Sequence, residues 1–132
     1  MRQATLADVP VITGMVVEFT TAYSDMPACP DRTASWTTHI IKHGVIFLTD
    51  TGFIAGLPVM DPVRPWAALV ETGWYAPGKD GLRLLRRFIQ YAKDAELDEV
   101  RMSTLNTTPE RALKLLEHMG FTLAERSHRL NL

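Results

Sequence analysis

Apolar residues fall on one helical face at Val9, Ile12, Val16, Phe19 and Tyr23, with Met15 beside them. Thr5 stands before this run as an N-cap and Asp8 is placed to close a capping box, so a helix is predicted from there to about Tyr23. Pro10 is tolerated because it lies within the first turn. Ser24 to Arg32 carries Pro27 and Pro30 and no periodicity. It reads as a loop of the kind that carries substrate contacts beside a rigid scaffold, or as a plain connector. Thr33 to His43 is predicted as a second, shorter helix stopped by Gly44 in the C′ position.

The pattern then changes period. Val45 to Thr49 is a β-branched and aromatic run, Asp50-Thr51-Gly52 is turn chemistry, and Phe53 to Met60 resumes strand character. This is a hairpin signal, with Gly56 and Pro58 suggesting a bulge or an edge in the second strand. Residues 61–66, with Pro62 and Pro65, connect to a strand at 67–75. Pro77, Gly78 and Gly81 turn the chain, and Leu82, Leu85, Ile89 and Ala92 mark a helix over about 81–95. After the acidic loop 96–99, residues 100–105 form a strand predicted to lie parallel to 67–75 through this crossover. A last helix starts with Thr108 as N-cap and Pro109 at N1, or with Thr107 and Glu110 as a capping box. Its apolar face is Ala112, Leu115, Leu116 and Met119, and Gly120 ends it. A short strand at 1–5 opens the chain, and residues 121–123 and 128–132 are predicted to close it as a hairpin. The order β-α-α-β-β-β-α-β-α-β-β implies one α/β (α+β) domain over residues 1–132, with a mixed, mostly antiparallel sheet and one parallel pair.

The stretch from Leu69 to Leu85 organises the rest. A strand that runs through a glycine-bearing turn into a helix presents unpaired N–H groups and a positive helix end, which together suit phosphate.

Composition narrows the class. The 132 residues are 46% hydrophobic and 22% charged, as in an ordinary globule, and a net charge of −1 offers no footprint for nucleic acid or an anionic membrane. One cysteine, Cys29, precludes an internal disulfide and fits a reducing compartment. The N-terminal residues lack the apolar core of a signal peptide, and no apolar run reaches the roughly 18 residues of a membrane span. A cytoplasmic location is therefore expected. His39 and His43 are spaced i, i+4, but no third ligand accompanies them and no metal is expected. Cys29 lacks a basic partner that would make it a nucleophile.

Four segments carry a resemblance to a known family. Residues 2–12 look like the common opening of GNAT-superfamily N-acetyltransferases, and the 45–56 hairpin ending Ile54-Ala55-Gly56 is similar to their second and third strands. Tyr75 to Lys93 stands where the family's acyl-CoA pyrophosphate loop and helix would be, and Asn106 through Gly120-Phe121 resembles the closing segment. The compact size and the Trp74-Tyr75 pair look most like short bacteriophage-borne members, for which a host-cytoplasmic or virion-associated setting would follow. The family loop R/Q-x-x-G-x-G/A is altered to Ala76-Pro77-Gly78-Lys79-Asp80-Gly81, where only Gly81 matches.

The resemblance implies acetyl-CoA as cosubstrate and an amine, on a small molecule or a protein, as acceptor. It implies cofactor contacts at Thr72, Gly73, Trp74, Gly78, Lys79, Asp80, Gly81, Leu82 and Asn106. Backbone N–H groups around 72–74 would hold the thioester carbonyl, Gly73 would ease approach of the pantetheine arm, and Lys79 would add charge toward phosphate. Asp80 stands at the helix start, where a carboxylate competes with a bound anion for the same donors; the alternative is that it simply caps the helix. Arg83, Arg86 and Arg87 are candidates for the CoA 3′-phosphate, or for a solvated helix face. Asn106 is either a pantetheine contact or a helix cap. Glu71, the one carboxylate on its strand, is the candidate general base, or a solvent-facing strand residue. Leu116 occupies the place of the family's usual tyrosine acid, leaving Tyr75, or His118, as the candidate acid. Two other readings are kept: a catalytically impaired GNAT-like binding or virion-associated structural module, and an acyl-CoA-binding regulator. The 24–32 loop and second helix are expected to shape the acceptor site, and a homodimer through the exposed edge of the closing hairpin is a further expectation.

Overall fold

The computed structural model describes all 132 residues. Five strands form one sheet in chain order: β1 (Arg2–Gln3), β2 (Val45–Leu48), β3 (Phe53–Met60), β4 (Ala67–Tyr75) and β5 (Glu99–Arg101). Every neighbouring pair is antiparallel except β4 and β5, which run parallel, as the crossover requires. Helices α1 (Val9–Tyr23) and α2 (Pro30–His43) cover one face, and α3 (Gly81–Asp94) and α4 (Glu110–His118) cover the other. The strand alternation divides the core accordingly. Val45, Phe47 and Ile54 pack with Leu84, Leu85 and Phe88 of α3, while Ile46, Leu48, Phe53 and Ala55 pack with Ile12 and Met15 of α1 and Ile40 of α2. All of β2 is buried because both of its faces are covered, which is why it reads as an unbroken apolar run.

Several expectations need correction. The capping box closes, with the Thr5 N–H donating to the Asp8 carboxylate at 2.8 Å, but it opens a single 3-10 turn, and α1 proper begins at Val9. Helix α2 starts three residues earlier than predicted, because Pro30 takes the N1/N2 position it suits. Gly44 follows α2 with a negative φ of −138° rather than the left-handed conformation of a C′ glycine. What requires glycine there is proximity: a Cβ would lie 2.1 Å from the Gly56 carbonyl oxygen. Strand β3 is central as far as Gly56, where β2 ends; beyond it Pro58 lies on a local edge, with a neighbour only on its β4 side. The predicted bulge is present: Ala55 pairs with Gly73 and Gly56 with Glu71, which leaves Thr72 as the extra residue. Helix α4 uses neither predicted cap. Pro109 is its N-cap, because the Thr108 hydroxyl instead accepts the Leu105 N–H at 2.7 Å. Gly120, at φ +92°, ends it as expected.

The closing hairpin does not form. Residues 121–132 carry no regular structure, and Leu123 and Leu130 are 73% and 83% exposed. The sheet ends at β5 and offers these residues no edge, and a two-stranded hairpin standing alone is marginal in water. The edge invoked for a homodimer is therefore absent, and the sheet ends at the three residues of β5.

The amino-terminal turn makes a testable contribution to stability. Arg2 binds both carboxylate oxygens of Asp8, at 2.7 and 2.6 Å. With the Thr5 N–H, this holds the Asp8 carboxyl well below its ordinary value of 3.8. A depressed carboxylate stabilises the fold above its unfolded pKa, and that contribution is lost as pH falls through the folded one. Asp8→Asn should therefore melt below the wild type at pH 7, with the gap narrowing as pH drops below 3.8. Melting curves across that range check this, and a gap that stays constant would remove Asp8 from the acid response.

Candidate active site

Strands β4 and β5 part company early. Their register runs Ala68 with Glu99, Leu69 with Val100 and Val70 with Arg101, and stops. From Glu71 onward β4 has no strand beside it on that side, just where the Thr72 bulge disturbs its other pairing. The split opens a cavity of about 670 Å³. One wall is β4 from Glu71 to Tyr75 and the loop 76–79; the opposite wall is Ser103 to Leu105, with Thr107, Thr108 and Arg111 leading into α4. Of the sites predicted from sequence, Glu71, Thr72, Gly73, Trp74, Tyr75, Gly78, Lys79, Gly81 and Leu82 all line it.

At one end lies the start of α3. No N–H from Gly78 to Arg83 finds a protein acceptor; the first to do so is that of Leu84, on the Asp80 carbonyl. Asp80 does not occupy these donors. Its side chain makes no capping bond and instead takes a hydrogen bond from Thr51 at 3.3 Å and one from Arg83 at 2.9 Å. The neighbouring Thr49 and Thr51 hydroxyls and the Arg83 charge hold its carboxyl below the usual range. Asp80 stands at the N-cap position without a side-chain capping bond, and its carboxylate neither lines the cavity nor competes for the donors there. A Cβ on Gly81 would meet only the Ala76 side chain and the Trp74 ring, both at 3.6 Å. The space above that backbone is kept open without being demanded by the fold. The Trp74 indole N–H beside it is buried without a partner, an arrangement that costs about 1–3 kcal/mol.

Glu71 sits at the fork. Its carboxylate accepts the Ser103 N–H at 3.2 Å across the opening between the walls. Burial pushes its pKa up to about 7, and that single hydrogen bond offsets the shift only in part. It is half-buried and faces the cavity, so the solvent-facing alternative is set aside.

Tyr75 lies toward α1. Its hydroxyl donates to Glu18 at 3.3 Å, and its ring stands edge-on to Phe19 at 5.9 Å. Burial, then the neighbouring Glu18, raises its pKa above the ordinary 10.0.

The other predicted residues take varied places. Asn106 is exposed and does not line the cavity; Thr107, Thr108 and Arg111 do. Gly73 is small for an internal reason, since a Cβ would press on the Phe53 and Trp36 rings at 3.1 and 3.3 Å. Neither the 24–32 loop nor α2 contributes to the lining; the last turns of α1 do, through Phe19 and Tyr23. Arg83 pairs with Asp80, Arg87 lies over the Phe47 ring at 4.4 Å, and with Arg86 both border a groove that shares Lys79 and Leu82 with the cavity. Leu116 is core, packed with Leu84 and Leu85. His118 is exposed and does not line the cavity. The His39 and His43 rings lie 4.7 Å apart at a 44° tilt, and no group of three or more His, Cys, Asp or Glu is placed to hold a metal. No helix is long and apolar enough to cross a membrane.

A parallel pair that splays beside a helix start is the decisive observation, and solved acetyltransferase structures match the chain over nearly its whole length. The chain has the GNAT fold. A probable acetyltransferase matches 100% of this chain and 98% of its own at 22% identity and a TM-score of 0.80. Ribosomal-protein-alanine N-acetyltransferase from Brucella melitensis biovar Abortus 2308 matches 99% and 98% at 15% identity and a TM-score of 0.71. A predicted acetyltransferase from Clostridium acetobutylicum, solved with acetyl-CoA, matches 98% and 94% at 12% identity and a TM-score of 0.77. No protein-family model matches the chain, and neither does any curated protein. The likeness is therefore one of fold. Phe19, Tyr23 and Arg111 are among the lining residues that the sequence reading missed, with Ser103, Thr107 and Thr108. The first two count toward the apolar face of α1, and only their half exposure sets them apart from core.

Proposed function

We propose that the chain is an acetyl-CoA-dependent N-acetyltransferase acting on a primary amine. The observation that carries this reading is the free donor set at the start of α3, with Asp80 tied to Thr51 and Arg83 instead of filling it. Backbone N–H groups at a helix start bind phosphate without a particular side-chain motif, which makes the altered loop chemically adequate. Lys79, exposed in that loop with no ion-pair partner, adds charge toward the diphosphate.

Acetyl-CoA supplies an activated acetyl thioester. Glu71 takes a proton from the acceptor's ammonium, so that the free amine forms the C–N bond as the C–S bond breaks. The β4 backbone beyond Val70, left without a strand neighbour, offers N–H groups to the thioester carbonyl around residues 72–74. Tyr75, whose raised pKa keeps its proton at neutral pH, returns a proton to the departing thiolate.

Leu116 favours a second reading, a catalytically silent binding module, because a buried core residue stands where the fold's usual tyrosine acid would be. Calorimetry with acetyl-CoA, followed by an assay of thiol release over a panel of amines, separates the two. Binding without thiol release selects the silent module, and no binding at millimolar acetyl-CoA removes both. Gly81→Val tests the loop itself. Because the space around Gly81 is open, the variant should keep its melting temperature while losing acetyl-CoA affinity by about tenfold or more. Unchanged affinity would mean that the ligand does not approach that backbone.

A further inference from the structure

The two ends of the cavity differ in charge and in surface. Its only lining cations, Lys79 and Arg111, belong to the loop before α3 and to α4. The α1 end carries three aromatic rings instead. Phe19 lies 5.3 Å from Tyr23 at a 45° tilt and 5.9 Å from Tyr75 at 69°. All three are half-buried and line the opening. Glu18 stands behind this end, holding the Tyr75 hydroxyl, and Glu71 faces the cavity from the fork farther along β4. Resting on the acetyl-transfer reading, we propose that the acceptor is a primary alkyl- or arylalkylamine, entering as its ammonium, with no carboxylate beside the nitrogen.

The chemistry of the two groups explains the selection. An ammonium is drawn to aromatic faces and to carboxylates, and an attached hydrocarbon body covers Phe19 and Tyr23. A carboxylate beside the nitrogen would be carried against Glu71, the group that receives the ammonium proton. Like-charge juxtaposition of that kind excludes amino acids through their α-amine more strongly than any loss of contact.

A matched pair tests this. 2-Phenylethylamine and phenylalanine differ by one carboxylate. Each is titrated calorimetrically into the protein saturated with CoA, which cannot turn over, and into the free protein. The amine should bind at least about 100-fold tighter than the amino acid, and tetramethylammonium should compete with it. Tyr23→Leu should weaken the amine by about tenfold and leave CoA affinity unchanged, with Phe19→Leu as the parallel variant should Tyr23→Leu not fold. Equal or tighter binding of phenylalanine overturns the inference, as does failure of the amine to bind where CoA binds well. Absence of CoA binding instead strikes the acetyl-transfer reading, and the titration of free protein then decides the aromatic end alone.

Discussion

Glu71→Gln should slow acetyl transfer by about 100- to 1000-fold, the range that a positioned general base supplies. Affinity for acetyl-CoA should stay within about twofold, because the amide oxygen can still accept the Ser103 N–H and keep the walls of the cavity in place. Initial rates of thiol release, paired with calorimetry, read both quantities. The wild-type rate should rise with pH through about 7, since only the ionised Glu71 accepts a proton. That limb should vanish in the variant. The same group gives a stability signature of opposite sign to that of Asp8. A carboxyl raised from 4.5 to about 7 binds its proton more tightly folded than unfolded, so stability falls as pH climbs across that interval. Glu71→Gln lacks the penalty and should be the more stable protein above pH 7. Full turnover in the variant, at an unshifted pH profile, would take Glu71 out of the mechanism.

What the sequence made legible follows the range of the interactions involved. The hairpin, the strand–turn–helix junction and three of the four helices rest on periodicity and turn chemistry within a few residues, and they stand where the pattern put them. The Thr72 bulge was announced by Gly56 across the pair, although the inserted residue sits on the partner strand. Non-local contacts were not legible. Asp80 looked like a rival for the anion site because Thr51, on the β2–β3 turn, could not be placed against it from sequence. Gly44 looked like a helix stop because nothing local says that Gly56 passes beneath it. Phe19 and Tyr23 looked like core because helical spacing records which face is apolar, not where the covering sheet ends. The closing hairpin failed for a related reason: strand propensity at 121–123 and 128–132 counts only if a sheet edge receives it.

Gly44→Ala is expected to have the largest effect on stability of any single methyl group in the chain. The added carbon would lie 2.1 Å from the Gly56 carbonyl oxygen and 2.9 Å from Leu57 Cδ2. Gly56 cannot withdraw. On its other side a Cβ position already falls 2.5 Å from the Phe88 ring and 2.9 Å from the Val70 oxygen, so helix, strand and strand meet there without slack. Relief would require β3 to shift against β4 at the bulge, the irregularity that opens the cavity. Overpacking against backbone should cost about 3 kcal/mol, or about 10 °C in melting temperature for a domain of this size. Acetyl-CoA affinity should fall with it in whatever protein remains folded, because the same displacement moves Glu71 to Gly73. Gly14→Ala is the control. Gly14 is exposed in α1 with nothing within 4 Å of an added carbon, and there alanine should stabilise by about 0.5–1 kcal/mol through helix propensity. Thermal melts of the two variants should therefore move in opposite directions. A Gly44→Ala protein that melts with the wild type would mean that the β2–β3 junction has slack, and with it that the bulge is not pinned by the crowding around Gly56.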